Sequence, residues 1–449
     1  MPRIAIIGAG ITGVTSAYAL SKLGYDVTVY DRQRYPAMET SFANGGQLSA
    51  SNAEVWNSAA TIMKGLRWLG RHDAPLLLNP RPSWHKYSWL AQFVGQIRNY
   101  RQNTIATTRM AIEARQHLYA MAEEEGIDFD LERRGILHIY HDAASFETAR
   151  RANALLREGG LERHAVTPEE IRGIEPTLQT PCHGGFYTPS DATGDIHKFT
   201  SGLAQACARR GVRFEQDADI RAISRDGLPY VLDIAREEGA RREQHEADAI
   251  VVCAGAASRQ FARQLGDRLN IYPVKGYSIS VHLDDAASQA AAPTVSLLDE
   301  AAKIVTSRLG DRFRVAGTAE FNGFNLDIRA ERIQPLVDWT RRHFPGVRTT
   351  RVVPWCGLRP MMPDMMPRVG PVSGRACSTT PGMGIWDGRC RRRPRKCWRR
   401  ASGRRWRCLK PIAGAGTPGD HDRDGQTHQK TAMVLPGTIR PTPIHGRTK

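Results

Sequence analysis

The chain has 449 residues, of which 41% are hydrophobic and 24% charged, values typical of a soluble globular protein with room for two large cores. Its net charge is +17, but residues 371–449 hold 18 Lys and Arg against 4 Asp and Glu, which leaves +3 for the first 370 residues. The body is therefore nearly neutral, and the charge does not indicate a specific nucleic-acid-binding protein. The sequence contains neither a run of 18 apolar residues nor a signal-peptide pattern, so we expect a cytoplasmic protein without a transmembrane helix.

The first 30 residues predict a β-α-β unit. Residues 4–7 form a short apolar run, residues 11–23 a helical stretch, and residues 27–30 a second apolar run. Because two strands joined through a helix lie side by side, this order predicts a parallel sheet.

The loop between the first strand and the helix carries the pattern G-x-G-x-x-G. Gly8 permits the tight turn, Gly10 lets the backbone approach a diphosphate, and Gly13 allows close packing of helix and strand. The amino end of the helix attracts phosphate, and Asp31, after the second strand, is placed to bind the ribose hydroxyls. The unit therefore predicts a dinucleotide site in which the 2′-phosphate of NADP is disfavoured, but it leaves NAD and FAD open.

Two stretches follow that differ in character. Residues 39–49 are rich in small residues and contain consecutive glycines, which suits contact with a flavin, although a plain loop has the same composition. Residues 56–105 mix four tryptophans with seven basic residues and a single acid. This stretch fits either a membrane-surface patch or a helical insertion with tryptophan in the core and a solvated basic face.

The later elements alternate between helices and strands. We expect helices over residues 105–125 and 196–210, and strands over residues 135–140, 212–214, 249–256, 278–282, 303–307 and 313–316. The pattern predicts an α/β protein in which a Rossmann-like nucleotide-binding domain is interrupted by an inserted substrate domain with a mixed or antiparallel sheet. No cysteine or histidine spacing predicts a metal site.

Four sequence blocks together resemble the D-amino-acid oxidase superfamily of FAD-dependent oxidoreductases and, within it, the small subunits of D-amino-acid dehydrogenases. The resemblance covers about residues 1–374, and the blocks are Thr40-Ser41-Phe42-Ala43-Asn44-Gly45-Gly46-Gln47, Thr193-Gly194-Asp195, Tyr272-Pro273-Val274-Lys275-Gly276-Tyr277-Ser278 and Trp355-Cys356-Gly357-Leu358-Arg359-Pro360-Met361-Met362-Pro363-Asp364.

This resemblance implies a two-domain enzyme with non-covalent FAD that oxidises D-amino acids to 2-oxo acids and ammonia and passes electrons to a respiratory-chain acceptor. It implies an FAD-binding domain made of residues 1–84, 190–265 and 350–374, and a substrate domain made of residues 85–189 and 266–349. The alternative within the same fold is a glycine or sarcosine-type amine oxidase that uses oxygen.

The resemblance also assigns roles to individual residues. Arg359 is expected to pair with the substrate carboxylate, although an ordinary ion pair is its alternative, and Tyr277 is expected to line the substrate pocket unless it bonds the backbone. The residues expected at the cofactor are Ile7, Gly8, Ala9, Gly10, Ile11, Thr12, Gly13, Asp31, Arg32, Ser41, Asn44, Gly46, Gln47, Ile220, Ala254 and Gly255.

The stretch of residues 56–105 gives this enzyme a second expected contact. With its aromatic rings at the headgroup level and its cations near anionic lipid, it would hold the protein on the cytoplasmic face of the inner membrane. Electrons could then be delivered to a quinone.

The chain departs from the family pattern in two places. At Met365 the family prefers glycine, so we expect an altered turn there. After residue 374 the chain loses its apolar periodicity, contains no glutamate and gathers arginine. Such a density of like charge predicts a disordered or non-native basic tail over residues 375–449.

We interpret this tail as an out-of-frame translation. Residues 375–388 can be encoded by codons whose adjacent frame reads Pro-Gly-Val-Phe-Tyr-Asn-Thr-Gly-His-Gly-His-Leu-Gly-Trp, a segment of the kind that the family places at the flavin. The chain would then be a frameshifted and inactive product. The rival interpretation is a genuine polybasic arm for nucleic acid or anionic lipid.

Overall fold

The computed structural model describes residues 1–68, 74–224, 229–371 and 378–379. The strands of these residues are, in chain order, β1 (Arg3–Ile7), β2 (Asp26–Tyr30), β3 (Gln47–Leu48), β4 (Leu76–Leu78), β5 (Ile136–Tyr140), β6 (His164–Val166), β7 (Gly184–Thr188), β8 (Ala192–Thr193), β9 (Arg213–Glu215), β10 (Asp219–Ser224), β11 (Tyr230–Arg236), β12 (Arg241–Ala247), β13 (Ala249–Val252), β14 (Tyr272–His282), β15 (Ser296–Asp299), β16 (Ile304–Leu309), β17 (Arg312–Phe321), β18 (Val352–Met361), β19 (Gly370–Pro371) and β20 (Ser378–Thr379).

The helices alternate with these strands. They are α1 (Ile11–Lys22), α2 (Ala59–Trp68), α3 (Trp84–Gly95), α4 (Tyr100–Glu125), α5 (Ala143–Glu158), α6 (Pro168–Ile174), α7 (Ile196–Arg209), α8 (Ser258–Gln264), α9 (Ala286–Ala291) and α10 (Ala330–His343), with short 3-10 helices at Ile97–Asn99, Glu237–Gly239 and Gly255–Ala257.

A six-stranded sheet carries the β-α-β unit that the sequence predicts. Its order is β19-β20-β13-β1-β2-β9, and its strands pair in parallel except for the antiparallel pair of β19 and β20. Ile4 and Ile6 pack on the side of α1 and α7, whereas Ala5 and Ile7 pack on the side of the three-stranded sheet β10-β11-β12. Burial on both faces explains why the first strand is a continuous apolar run.

The second large sheet has the order β18-β14-β17-β16-β15-β5-β7-β6, with β4 beside β17. Tyr277, Ile279, Phe313 and Val315 pack on one side with residues of α10, and we call this side the helix-covered face. The alternate residues of the same strands lie on the opposite side, which we call the loop-facing face because it contacts the loop of residues 40–47.

The division of the chain between the two sheets differs from the expected one at two segments. β18 was expected in the nucleotide-binding part, but it pairs with β14 from Tyr272 opposite Met361 to Val281 opposite Val352. β4 likewise pairs with β17 of the large sheet. Strand pairing is set by neighbours that are distant in the sequence, so the composition of a short strand does not tell which sheet it joins.

Most of the tail expected over residues 375–449 lies outside the described residues. Its exception is β20, where Ser378 and Thr379 lie opposite Val251 and Val252 of β13. The six-stranded sheet therefore continues into the first residues of the segment that the sequence assigns to the tail.

Candidate functional site

The turn after β1 requires glycine at two positions. Gly8 has a φ of +107°, and a Cβ there would lie 2.5 Å from the carbonyl oxygen of Cys253. A Cβ on Gly13 would lie 1.8 Å from the carbonyl oxygen of Gly8. Only glycine lets the first turn of α1 pack this closely against β1 and β13.

The amino end of α1 is left open above this turn. Gly10 is the N-cap residue, and as a glycine it has no side chain that could cap the helix. Ile11 donates its backbone N–H to Ser41 Oγ at 3.1 Å. A helix start carries a positive partial charge and backbone donors, so the cradle formed by Ile7, Gly8, Ala9, Gly10, Ile11, Thr12 and Gly13 fits the diphosphate of a dinucleotide.

Asp31 is fixed at the carboxyl end of β2 beside this cradle. Its carboxylate accepts the backbone N–H of Ala9 at 2.6 Å and that of Gln33 at 2.8 Å. Burial raises the pKa of Asp31, and these two hydrogen bonds oppose the rise. The neighbouring Arg32 is held by Glu39, with Nη2 and Oε1 2.6 Å apart.

A second backbone segment approaches the cradle from β13. Ala254 Cα would lie 3.2 Å from a Cβ on Gly8, so the segment after β13 lies against the turn after β1. Gly255 has a φ of +53°, and within the described part of the chain no atom lies within 4 Å of a Cβ built there. Ile220 on β10 is buried, so it can offer only its backbone to a cofactor.

The loop of residues 40–47 joins the cradle to the large sheet. Three side chains of the loop-facing face hold carbonyl oxygens of this loop: Ser278 Oγ donates to Ala43 at 2.7 Å, Ser307 Oγ to Gly45 at 2.6 Å, and Arg314 Nη1 to Asn44 at 3.0 Å.

Further bonds fix the same loop from within and at its ends. Asn44 Oδ1 accepts the N–H of Gly46 at 2.9 Å, and Gln47 Nε2 donates to Ser296 Oγ at 2.8 Å. The structure thus brings the predicted Ser41, Asn44, Gly46 and Gln47 between the dinucleotide cradle and the large sheet.

Arg359 lies on the loop-facing face, at the edge strand β18. It is paired in register with Val274. Its Nη1 donates to the carbonyl oxygen of Thr318 at 3.0 Å. No carboxylate pairs with it among the described residues, and burial alone lowers its pKa to about 10. Arg359 is therefore a desolvated cation without a protein counter-ion in that part of the chain.

The structure does not bring Tyr277 together with Arg359. Tyr277 lies on the helix-covered face, where its hydroxyl donates to Glu320 Oε2 at 2.6 Å. Burial and this hydrogen bond raise the pKa of Tyr277. One residue along a strand changes the face of the sheet, and Tyr277 and Arg359 have opposite parity in the pairing of β14 with β18.

Sequence reasoning did not single out two residues at this site. Arg314 is 4% exposed, and its Nε donates to Ser280 Oγ at 2.9 Å. Thr318 has a φ of +58° and accepts a hydrogen bond from Arg359. The sequence could have pointed to Arg314, because an arginine inside an apolar strand is unusual. No local pattern marks the backbone conformation of Thr318.

Other kinds of site can be addressed for the described residues only. In that part of the chain, no group of three or more His, Cys, Asp or Glu side chains is arranged to hold a metal ion. Nor does any helix there combine the length and apolarity needed to cross a bilayer.

The fold and the glycine cradle define a flavin-binding or nicotinamide-binding oxidoreductase, and the comparisons with known proteins decide which. Residues 3–389 match the family model of the DAO FAD-dependent oxidoreductases. The chain belongs to this family, and the protein is an FAD-dependent enzyme. The prediction of FAD over NAD is thereby confirmed, as is the predicted fold class.

Curated relatives match over most of the chain. The D-amino acid dehydrogenase 3 of Mesorhizobium japonicum is 62% identical over 371 residues, which cover 82% of this chain and 89% of the relative. The D-amino acid dehydrogenase of Dechloromonas aromatica is 42% identical, also over 82% of this chain and 89% of the relative.

Solved structures share the fold at low sequence identity. The glycine oxidase of Geobacillus kaustophilus superposes with a TM-score of 0.64 at 19% identity, over 85% of this chain and 90% of that chain. An L-α-glycerophosphate oxidase of Mycoplasma pneumoniae with FAD bound gives a TM-score of 0.62 at 16% identity, over the same shares.

Proposed function

We propose that this protein oxidises D-amino acids to 2-oxo acids and ammonia and passes the electrons to a respiratory quinone rather than to oxygen. The names of the relatives at 62% and 42% identity support the substrate class. The observation in the structure that carries the proposal is the unpaired guanidinium of Arg359.

Arg359 has the properties of a carboxylate-binding residue. It is partly buried and has no acidic partner among the described residues, so its charge is desolvated without compensation. A guanidinium offers two parallel N–H donors to a carboxylate and remains charged when it is buried. A substrate carboxylate would therefore pair with the guanidinium and offset the free energy that its desolvation costs the folded protein.

The chain's own residues position the substrate, and the cofactor supplies the redox chemistry. FAD, held by the glycine cradle and Asp31, would supply a hydride acceptor, its N5, for the substrate Cα–H, and water would hydrolyse the resulting imino acid to the 2-oxo acid and ammonia. Arg359 holds the carboxylate from the loop-facing face. Ser278, Ser307 and Arg314 hold the loop of residues 40–47 rigidly against the same face.

The test is anaerobic reduction of the FAD-loaded full chain by a panel of D- and L-amino acids, followed by the absorbance of the flavin. The proposal expects reduction by several D-amino acids and slow or no reduction by their L-enantiomers. Reoxidation is then compared between a quinone analogue and oxygen. Stoichiometric peroxide with glycine or sarcosine as the preferred substrate would establish the amine oxidase alternative instead.

We propose further that the residues after about 375 are translated out of frame. The relatives at 62% and 42% identity match 82% of this chain, whereas the match to the family model runs past the proposed frame change to residue 389. Part of the expected flavin contact would then be missing, so we expect weak retention of FAD by the chain as it stands. Sequencing the gene decides the matter, because the adjacent frame must encode the flavin-contacting segment; purification with a full complement of FAD would contradict weak retention.

We also propose that one surface of the protein contacts anionic lipid. We call it the Trp84 surface, and it contains the exposed side chains of Trp84, Tyr87 and Phe324. Trp84 is 84% exposed and Phe324 is 60% exposed. Their segments meet beneath the surface, where the ring of His85 lies 4.9 Å from that of Tyr272 and Tyr272 Oη accepts the N–H of Gly323.

The same stretch also supplies core residues, as the alternative interpretation of its tryptophans expects. Trp89 is 1% exposed and donates Nε1–H to the carbonyl oxygen of Met361. Lys86 is buried and donates to backbone oxygens of Asn79 and Arg81, so it is not part of a solvated basic face. Lys64, Arg67 and Arg81 are exposed and remain available to anionic headgroups.

Vesicle sedimentation tests this contact. The full chain should sediment with vesicles of phosphatidylglycerol and phosphatidylcholine more than with phosphatidylcholine alone. Trp84→Ala and Phe324→Ala should weaken the sedimentation severalfold, whereas Leu23→Ala, at an exposed leucine that ends α1 in the other sheet layer, should not. Equal effects of all three variants would argue against a defined surface.

A further inference from the structure

The strand β17 contains an irregularity directly opposite Gly276. Lys275 pairs with Glu320 and Tyr277 pairs with Gly317, so Thr318 and Ala319 together face the single residue Gly276. This is a β-bulge, in which one strand holds an extra residue. Thr318 takes the left-handed conformation, with a φ of +58°. A β-branched residue rarely adopts that conformation, and such outliers concentrate at functional sites.

The bulge holds Arg359 on the loop-facing face. The carbonyl oxygen of Thr318 accepts Arg359 Nη1–H at 3.0 Å. The guanidinium lies directly over Gly276, since a Cβ on that glycine would be 2.3 Å from Arg359 Nη1. The bulge in β17 supplies the carbonyl oxygen that accepts the hydrogen bond of Arg359. Gly276 in β14 leaves the space that the guanidinium occupies.

Buried charges fix the bulge from the helix-covered face. Glu320 is 1% exposed, and its carboxylate lies 3.4 Å from Lys275 Nζ and 3.0 Å from Arg329 Nη2. It also accepts the hydroxyl of Tyr277. These contacts anchor β17 two residues after Thr318 and anchor β14 on both sides of Gly276. The surrounding structure therefore imposes the unusual conformation of Thr318.

The hydroxyl of Thr318 makes no hydrogen bond to the described part of the chain. Thr318 is 9% exposed, and its Oγ1 is buried without a hydrogen-bond partner in the part of the chain that the structure describes. Buried hydroxyl groups in folded proteins are nearly always paired, because an unpaired one loses its water without replacement. Here it belongs to the residue whose carbonyl holds a cation that also lacks a counter-ion.

We infer that Thr318 is a substrate-binding residue whose hydroxyl donates a hydrogen bond to the substrate carboxylate beside Arg359. One ligand group with two oxygen atoms satisfies both the guanidinium and the hydroxyl. The inference rests on the proposed function, because it requires a carboxylate at Arg359. It adds a specific residue, and it gives the strained bulge a role in binding.

The experiment measures propionate, which has the carboxylate and carbon skeleton of alanine but no amine. Its dissociation constant is read from the perturbation of the flavin spectrum in the FAD-loaded full chain. Thr318→Ala and Thr318→Gly should weaken propionate binding and raise KM for D-alanine about tenfold, with a smaller change in kcat. Thr318→Ser keeps the hydroxyl and should bind propionate within about twofold of wild type.

Thr318→Gly separates binding from backbone strain. Glycine adopts a positive φ freely, so this variant should raise the melting temperature while it weakens propionate binding. Glu238→Gly is the matched control, since Glu238 has a φ of +55° in the exposed turn between β11 and β12. It should raise the melting temperature without changing propionate binding.

The outcomes distinguish this inference from the proposed function. If wild type binds propionate and is reduced by D-alanine, but Thr318→Ala and Thr318→Gly bind propionate as tightly as wild type, only the role of Thr318 is overturned. Thr318→Ser that binds as weakly as Thr318→Ala also overturns it. A wild-type chain that carries FAD but neither binds propionate nor reacts with D-alanine overturns the proposed function and the inference together.

Discussion

Two cations, the buried Lys275 and the partly buried Arg359, lie on opposite faces of the same strand pair, next to Gly276. Lys275 Nζ lies 2.6 Å from Asn325 Oδ1 and 3.4 Å from Glu320 Oε1, so its charge is compensated within the protein. Arg359 bonds the carbonyl oxygen of Thr318, and no carboxylate pairs with it in the described residues. Lys275 and Glu320 thus join β14 to β17 through compensated charges, whereas we propose that the uncompensated charge of Arg359 is kept for a ligand.

Removing Glu320, which compensates the charge of Lys275, should have the largest effect on stability. Glu320→Ala leaves Lys275 and Arg329 without their shared buried partner, and we expect a loss of about 3–5 kcal/mol in the free energy of unfolding. Urea unfolding measures this loss. Glu331→Ala removes the exposed partner of Arg329 and should cost less than about 0.5 kcal/mol. Equal costs for the two variants would show that the buried pair is not important for stability.

Removing the uncompensated cation should affect activity instead. Arg359→Leu deletes a desolvated charge, so we expect an unchanged or higher melting temperature. At the same time kcat/KM for D-alanine should fall at least about 100-fold, or about 3 kcal/mol, because the substrate carboxylate loses its partner. Arg351→Leu, at an exposed ion pair with Asp284, is the control and should leave kcat/KM unchanged. A large loss of stability in Arg359→Leu would make this arginine structural.

The helix-covered face contains a second compensated carboxylate, which predicts a pH dependence. Burial of Asp299 would raise its pKa, but hydrogen bonds from His141 and Trp339 outweigh burial and lower the pKa to about 2. A lowered folded-state pKa stabilises the protein above the unfolded value near 4, and this stability is lost as the pH falls from about 4 to about 2. We expect a loss of about 2 kcal/mol in this window, measured by urea unfolding.

Asp299→Asn provides the check on that dependence. The variant should be less stable at pH 5 and should show a weaker fall between pH 4 and pH 2 than wild type. His343 also faces Asp299 across 3.9 Å, but burial lowers its pKa to about 4, so its own protonation begins above this window. A variant with the same slope as wild type would assign the acid dependence to other groups.

The smallest expected effect concerns Met365, where the family pattern prefers glycine. Met365 adopts a φ of +59°, and its N–H donates to the carbonyl oxygen of Met362 at 3.0 Å, so the turn forms although glycine is replaced. Met365→Gly and Met365→Ala lose the same side-chain packing, but only glycine relieves the backbone strain. Met365→Gly should therefore be about 1 kcal/mol more stable than Met365→Ala. Equal stabilities would mean that the left-handed residue carries no measurable strain.

The dinucleotide cradle was predictable because its chemistry is local. Gly8 and Gly10 lie between β1 and α1, Gly13 lies in the first turn of α1, and Asp31 directly follows β2. Within such a unit, the spacing alone fixes which backbone groups approach each other. The structure places these residues together as the spacing indicates, and the family comparison confirms FAD as the cofactor.

The proposed substrate side was less predictable because it is assembled from separate strands. Tyr277 was expected near the substrate, but the strand parity that turns it to the helix-covered face depends on the register with β18. The bulge at Thr318 depends on a pairing between strands some 40 residues apart and on the buried charge of Glu320. Neither register nor bulge has a signature in the local sequence.

For this protein, the sequence by itself determined the β-α-β unit, the glycine turn that it contains and the family, and it predicted the acidic ribose contact. The tertiary structure decided which sheet β4 and β18 join, which face each side chain of β14 occupies, and which cation of these strands has no carboxylate partner among the described residues. The physical reason is that local patterns encode the conformation of a segment, whereas charge compensation and strand register arise only when distant segments meet.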